Sequence, residues 1–391
     1  MKPVLMPSDI FFFTFIALVG LFLLWARRRE YYCDAGRRIR KNGWAMVCLA
    51  VIVAYGFLAA LDSVHYRPVV REAGGALQKD KEGRPLHHDV RSLFDTLFAK
   101  VYGGITDQDG RIQVSLEKSY SAPLAAGGFD REQDRDTREW VRKALAHPRA
   151  HWLGTDKSGG DVLFRLLKGV RTALIVSLVT TMIVIPFAIF FGVTAGYYGG
   201  RTDDIIQFTY ITMGSIPSIL LISAMMIIVN VRMERAETTD IFLKDDKIIL
   251  FLCCILGIIG WSGLCRLLRA ETIKLRELDF VKAAQALGVK SPVIIVRHII
   301  PNLLHVVLIS SILSFSGLVM VEAILSYIQI GVPSTIESWG RIVDGAREQL
   351  ARDPVIWWPV AGAFAFMFIL VLAVNIFGDA LRDALDPKLR T

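Results

Sequence analysis

The chain has 391 residues, 53% of them hydrophobic, and a mean hydropathy of +0.45, which excludes an ordinary soluble domain and points to a membrane protein. Its formal charge of +8 raises nucleic acid or anionic substrates as partners. The basic residues instead flank apolar stretches, with no aromatic readers interleaved, and this argues against nucleic acid.

A span needs about 20 mostly apolar residues, and seven stretches qualify: 10–25, 44–64, 172–196, 204–230, 248–265, 303–330 and 355–378. The first lies in FFFTFIALVGLFLLWA, with one Lys before it, three Arg after it and no small-x-small cleavage site, so it reads as an uncleaved reverse anchor. Residues 26–41 (ARRREYYCDAGRRIRK) hold seven Lys/Arg against two acids, and 266–301 hold seven against three. Both are expected on the cytoplasmic side. The first span then runs inward, the second returns, residues 65–168 lie outside, and five more spans bring the C-terminal RDALDPKLRT back inside.

The external segment turns abruptly polar at HYRPVVREAGGALQKDKEGRPLHHDVRS. An irregular insertion is expected, with a turn feeding a short strand in GGITDQDGRIQVSLEKS and a helix near REQDRDTREWVRKALAH. His87 and His88, beside Asp89, cannot share a helix face and read as loop histidines rather than metal ligands. Cys33, Cys48, Cys253, Cys254 and Cys265 all fall outside this segment, so no disulfide framework is implied. Cys253 and Cys254 lack the spacing and partners of a metal site.

In HWLGTDKSGGDVLFRLLKGVRTAL, Asp161 is placed to cap a helix whose apolar positions Val162, Leu163, Leu166, Leu167 and Val170 follow a helical period. The pattern fits an amphipathic helix on the membrane surface and fits equally the leading turns of the third span. The spans carry helix breakers, Pro186 in the third and Pro217 in the fourth, with Gly192, Gly196 and Gly257 besides, as suits a bundle that changes shape, though static bundles carry them too. Ionisable groups within the seven stretches are few, Glu322 and His305 in the sixth among them, and polar Asn375 and acidic Asp379 lie near the end of the last. A secondary carrier spends several such charges on its coupling ions; here Glu322 is the one convincing acid, which puts the energy source elsewhere. Glu322 fits a polar cavity or a pairing with an external Arg.

Between the fifth and sixth stretches lies DFVKAAQALGVKSPVIIVRHIIPN. Asp279 is placed to cap a short helix that Gly288 stops in the left-handed conformation. Ser291 and Pro292 then open a second helix, and Pro301 marks the passage into the next span. Phe280, Ala284 and Leu287 share one face, with Lys282 and Gln285 turned elsewhere. The small surface of Ala283 and Ala284 admits close approach by another protein; the same pattern fits a helix packed on its own bundle.

This segment resembles the EAA loop of binding-protein-dependent ABC importer permeases, with Ala283, Ala284, Gly288, Ile300 and Pro301 in the motif positions. Lys282 stands where the general pattern has Glu, and His298 where it has Ile. HWLGTDKSGGDVLFRLLKGVRTAL is similar to the Leu-Gly-Thr-Asp segment of the peptide-type subfamily, with Gly160 in place of its usual Arg. EAILSYIQIGVPSTIESWGRIV resembles a second subfamily stretch, with Gln329 and Ile330 replacing Leu-Gly, and NIFGDALRDALDP resembles its C-terminal signature. The resemblance covers residues 151–388, in order.

The resemblance implies an all-α polytopic membrane protein, with a type I permease core of about six transmembrane helices plus one extra N-terminal helix and an extracytoplasmic insertion. The chain then divides into an anchor and basic loop (1–43), a second span (44–64), the insertion with its amphipathic helix (65–168), the core (169–380, with the coupling loop at 266–301) and a tail (381–391). It would be the C-type second permease subunit of a peptide importer in a bacterial inner membrane. Its expected partners are a homologous permease, two cytoplasmic ABC ATPase subunits, an extracytoplasmic solute-binding protein and membrane lipid. Asp279, Phe280, Lys282, Ala283, Ala284, Leu287, Gly288 and Pro301 would couple to the ATPase. Glu322 and Pro217 would border the translocation path, and Trp339 would meet the binding protein. The chain lacks a Gly-x-x-x-x-Gly-Lys-Ser/Thr loop, so it is expected to be no enzyme and to bind no cofactor, with ATP and Mg on the ATPase partners. Nickel or another small solute is the competing cargo within the family. An ion-coupled carrier and a non-transporting scaffold are rivals of other classes.

Overall fold

Pro7 fits the first turn of a helix because its missing N–H would be unpaired there, and it opens the first apolar helix right after a short strand, β1 (Lys2–Val4). This and all that follows is read from a computed structural model, which describes residues 2–67, 90–101, 117, 120–133, 140–145, 149–235, 241–351 and 355–385. Helix α1 (Pro7–Ala26) is followed by a short basic helix, α2 (Glu30–Lys41), and by α3 (Gly43–Asp62), whose N-terminus is capped where Asn42 accepts from the Ala45 N–H at 3.3 Å. Strands β2 (His65–Arg67) and β3 (Arg91–Ser92) extend β1 into a three-stranded antiparallel sheet in the order β1-β2-β3.

Helix α4 (Leu93–Val101) begins with a reciprocal cap: the Ser92 hydroxyl accepts from the Asp95 N–H at 3.1 Å and the Asp95 carboxylate accepts from the Ser92 N–H at 3.0 Å. Strands β4 (Gly127–Gln133) and β5 (Trp140–Ala144) pair antiparallel. The helix expected near 131–147 is therefore replaced by a strand pair. The strand expected in 103–119, apart from residue 117, and the histidine pair at 87 and 88 lie outside the described residues.

Helix α5 (Val162–Tyr198) is continuous for 37 residues, with Asp161 accepting from the Phe164 N–H at 2.9 Å at its cap. Of the two sequence readings of residues 161–170, the structure has the leading turns of a span, and the expected core boundary at 169 falls inside this helix. α6 (Gly200–Gly214) and α7 (Ser218–Glu234) meet at an angle of 81° across Ser215–Pro217. The sequence then gives α8 (Ile241–Arg276), α9 (Asp279–Ala286), α10 (Ser291–Ile294), a π-helical turn at Ile295–Ile299, α11 (Ile300–Tyr327), α12 (Trp339–Arg347) and α13 (Trp358–Leu385).

Two ends of the bundle can be told apart by what bonds there. At one, the starts of α1 and α8 are joined by the Ser8 N–H on Asp246 at 2.9 Å, the Trp339 indole N–H donates to the Leu166 carbonyl on α5 at 2.9 Å, and the Trp358 indole N–H donates to the Thr155 carbonyl at 3.0 Å. At the other, Arg276 at the end of α8 donates to the Tyr197 carbonyl at the end of α5 at 3.1 Å, and the Tyr31 hydroxyl of α2 donates to the Leu385 carbonyl at the end of α13 at 2.5 Å. Six helices among the described residues are long and apolar enough to cross a membrane: α1, α3, α5, α8, the column running from α10 through α11, and α13. α6 and α7 must supply a further crossing, because α5 ends at the basic end and α8 starts at the opposite one. That makes seven, the number expected.

The middle of the core is the α5–α8 pair. Gly192 and Gly196 of α5 let the backbones touch: a Cβ would stand 2.7 Å from the Cys265 carbonyl oxygen at the first and 2.7 Å from the Arg269 carbonyl oxygen at the second. α1 is fastened to the same pair through charge. Arg171 donates to Asp9 at 2.6 Å, His65 Nδ1 lies 2.8 Å from the other Asp9 oxygen, and Lys168 sits 2.7 Å from Asp95 of α4. Burial would push the Asp95 carboxyl up, but the Lys168 charge and hydrogen bond, with the Ser92 N–H and hydroxyl, hold it below the usual carboxylate range.

Candidate functional site

The segment joining α8 to α11 is built to be rigid on one side and bare on the other. Leu278 is the N-cap of α9 and offers no side-chain bond, so Asp279 is the first helical residue rather than the cap the sequence led us to expect; there its charge still faces the positive helix end. Lys290 likewise takes the cap position of α10, with Ser291 and Pro292 as its first two residues. A competing neighbour explains both shifts: in each case the preceding residue is extended and its carbonyl already accepts the first helical bond. Pro301 lies in the first turn of α11, as expected for the passage into the span.

α9 ends in a Schellman turn. The Gly288 N–H donates to the Gln285 carbonyl at 3.0 Å and the Val289 N–H to the Ala284 carbonyl at 3.1 Å. Gly288 has φ of +76°, the left-handed conformation that the sequence assigned to it.

The inner side of the segment is anchored. Val281, Ala284, Ile294 and Ile299 are buried in one cluster with Val193 and Tyr197 of α5 and Cys265 and Leu268 of α8. Gln285 donates to the Tyr197 hydroxyl at 3.3 Å. The outer side is apolar and open: Leu287 is 83% exposed, Val296 65%, and Phe280, Val289 and Val293 are also exposed. Phe280 lies 6.3 Å from the His298 ring, so its position is shared with the second half of the segment. Lys282 pairs with Glu277 at 3.1 Å in solvent, and this hydrogen bond and charge, with a smaller contribution from Arg276, lower the Glu277 carboxyl below its usual range.

The expected face of Phe280, Ala284 and Leu287 is divided by the fold. Ala284 packs inward with Val281, while Phe280, Ala283 and Leu287 remain exposed. At about 100° per residue, buried Val281 and Ala284 centre the inward stripe roughly 70° round from Phe280, which leaves Phe280 and Leu287, the C-cap residue, at its edge.

The remaining expected site residues are scattered. Pro217 is exposed in the break between α6 and α7. Glu322 is fully buried within this chain, its Oε1 accepting from the Ser326 hydroxyl at 2.8 Å and the Ser338 hydroxyl at 2.7 Å. Among the described residues it is met by hydroxyls rather than by an external Arg. Trp339, expected to meet the binding protein, is 0% exposed in this chain, with its indole N–H spent on the Leu166 carbonyl. A large aromatic at the start of a short helix looks like a surface anchor in sequence, but here it fills the gap left by Gly169.

Sequence reasoning missed the charged residues of α5 and their partners. Arg165, Lys168 and Arg171 recur every three residues on one side of the helix, and Arg165 bonds both Asp156 and Glu337, the latter at 2.8 Å. That spacing was the available signal. Their partners in α1, α3, α4 and the turn before α12 were not.

Comparison with known proteins agrees with this geometry. Residues 188–391 match the family model described as "Binding-protein-dependent transport system inner membrane component". The chain is 29% identical over 325 residues to an oligopeptide transport system permease protein, OppC, of Bacillus subtilis, covering 83% of this chain and 97% of that one. It is 33% identical to the OppC of Haemophilus influenzae (61% of this chain, 70% of that one) and 32% identical to a dipeptide transport system permease protein, DppC, of Alkalihalophilus pseudofirmus (62% and 73%).

Proposed function

Since the chain belongs to the family of binding-protein-dependent transport system inner membrane components, we propose that it is the C-type permease subunit of an ABC importer for oligopeptides or dipeptides in a bacterial cytoplasmic membrane. The peptide class follows the relatives, which carry those substrates in their names. The energy comes from two ATPase subunits on the cytoplasmic side, where ATP and Mg are bound. A homologous permease covers the exposed apolar flank of α6 and α7, whose Ile205, Phe208 and Leu220 are each well exposed, and an extracytoplasmic binding protein delivers the cargo.

The observation that carries this reading is the open cap of α9. Leu287 extends from a turn whose inner neighbours are locked in the core, next to exposed Phe280, Val289 and Val293, at the basic end of the bundle. An exposed apolar patch on a rigid loop marks a protein contact. An ATPase subunit that seats Leu287 and Phe280 moves the segment as a block, because Val281 and Ala284 tie it to α5 and α8. ATPase closure can change the membrane helices only through contacts that differ between its open and closed states, and a block of this kind supplies them.

The test is crosslinking from Leu287→Cys in the assembled, transporting complex. Adducts to the ATPase subunit are expected, altered in yield when nucleotide binds. Their absence in a complex that still imports peptide would overturn the assignment. Import by the purified single chain, driven by an ion gradient, would overturn the ABC reading as a whole.

A further inference from the structure

Helix α2 has two unlike sides. Tyr31, Ala35 and Ile39 form the stripe turned to the protein: Ala35 is buried and the Tyr31 hydroxyl holds the end of α13. Arg37, Arg40 and Lys41 lie on the opposite side and are exposed, as are Arg27, Arg28 and Arg29 before it. Among the described residues, Arg37 pairs with Asp34 at 3.3 Å, while Arg27, Arg28, Arg40 and Lys41 have no acidic partner. The side facing away from the bundle therefore carries unbalanced positive charge.

Chain connectivity fixes the depth of this surface. Three residues join the end of α1 to α2, a reach of about 11 Å at most, and Asn42 alone joins α2 to α3. Both neighbours are spans, so α2 cannot leave the layer where those spans emerge. Trp25 (41% exposed) and Trp44 (76% exposed) stand at its two ends, as aromatic residues do at the headgroup level. Arg29 lies 5.6 Å over the Trp25 ring, and that ring packs on Tyr32 with centroids 5.6 Å apart.

We propose that α2 and the Arg27–Arg29 turn form a binding surface for the phosphate headgroups of anionic phospholipid in the inner leaflet. Clustered cations next to a span, on an amphipathic helix with its apolar stripe already covered by protein, fit phosphates in the membrane plane. α2 packs on α3 and α13, whereas α9 packs on α8, so this surface is separate from the ATPase-docking segment. The inference rests on the inner-face orientation proposed above and not on the cargo.

Native mass spectrometry of the purified full chain, offered phosphatidylglycerol and phosphatidylcholine in equal amounts, tests it. The wild type should retain phosphatidylglycerol at least about tenfold more often, each cation near the surface contributing roughly fivefold, with the preference shrinking as salt rises. Arg37→Gln, Arg40→Gln and Lys41→Gln together should cut the preference at least about fivefold, leaving what Arg27, Arg28 and Arg29 supply. Arg37→Lys with Arg40→Lys should keep it, and shows that the helix itself is intact. Equal retention of both lipids by the wild type would overturn the proposal, as would an unchanged preference in the neutralised chain. Displacement by inorganic phosphate alone would reveal a plain anion site, and, in a parallel co-purification of the assembled importer, loss of ATPase subunits from the neutralised chain with its lipid retention unchanged would reveal a protein dock; either outcome also overturns it. None of these readouts depends on transport, so their failure leaves the importer reading standing.

Discussion

Arg171 of α5 donates to Asp9 of α1 at 2.6 Å, with side chains 7% and 1% exposed. The pair binds an N-terminal helix outside the matched family region to the middle of the bundle, and it shares the site with Ser8, Ser63 and His65. A buried pair gains little over an apolar replacement, but one member left alone is costly. Arg171→Met should therefore destabilise the chain by about 3–5 kcal/mol. Combining it with Asp9→Leu should recover part of that loss, read as melting temperature of the detergent-solubilised protein. A double variant no more stable than Arg171→Met would mean that the two side chains are not coupled.

Gly288 has open space around the position of an added Cβ, so any penalty there comes from the backbone alone. A left-handed conformation costs an ordinary residue roughly 1–2 kcal/mol. Gly288→Asn should import peptide at close to the normal rate. Gly288→Val should turn over ATP with little uptake, because the cap of α9 is misplaced. Both quantities can be followed in proteoliposomes of the complete importer; full uptake by the Val variant would remove the turn from the mechanism.

Gly340 gives the opposite case. Its φ is ordinary, but a Cβ would fall 2.0 Å from the Ala323 carbonyl oxygen, where α12 crosses α11. Gly340→Ala has no flexible neighbour to displace and should cost about 1–3 kcal/mol through overpacking. Gly345→Ala, five residues on in the same helix with nothing within 4 Å, should be stabilising by a few tenths up to about 1 kcal/mol. Thermal melts of the two variants side by side check the contrast.

Asp95 sets a pH limit where α4 meets α5. Its carboxyl is held below the ordinary value by Lys168 and the Ser92 cap, against the effect of burial. A depressed folded value means that the stabilisation is complete above the unfolded carboxylate range and is lost as pH falls through the lower, folded value. Stability should hold from neutral pH to about pH 4 and decline below it. Asp95→Asn should be less stable at neutral pH and should flatten that acid limb; an unchanged limb would assign it to other carboxylates.

The spans and the turn that closes α9 were legible because their signals are local. Apolar length marks a crossing, and Gly288 marks a helix end within four residues of the bonds it closes. The buried charge network was not legible. Arg171 and Asp9 are separated by more than 160 residues, and nothing in either neighbourhood names the other. The strand pair at Gly127–Ala144 was misread as a helix because charged residues are tolerated by both conformations, and only the partner strand decides. At Trp339 the local signal was sound, an aromatic opening a capped helix, but whether that face meets water or Leu166 depends on α5. Position within a helix can be read from a sequence far better than the identity of what the helix leans on.

The column from Ser291 to Tyr327 is 37 residues of helix without a break in its course, apart from one π-helical turn near its foot. At 1.5 Å per residue it is about 55 Å long, with its foot beside α9 and its tip holding Ser338 through Glu322. For a rod of that length, a lean of about 5° at the foot carries the tip through ~5 Å. In the proposed importer, a displacement at the foot then needs no relay of side chains to be felt at the tip, only a stiff lever.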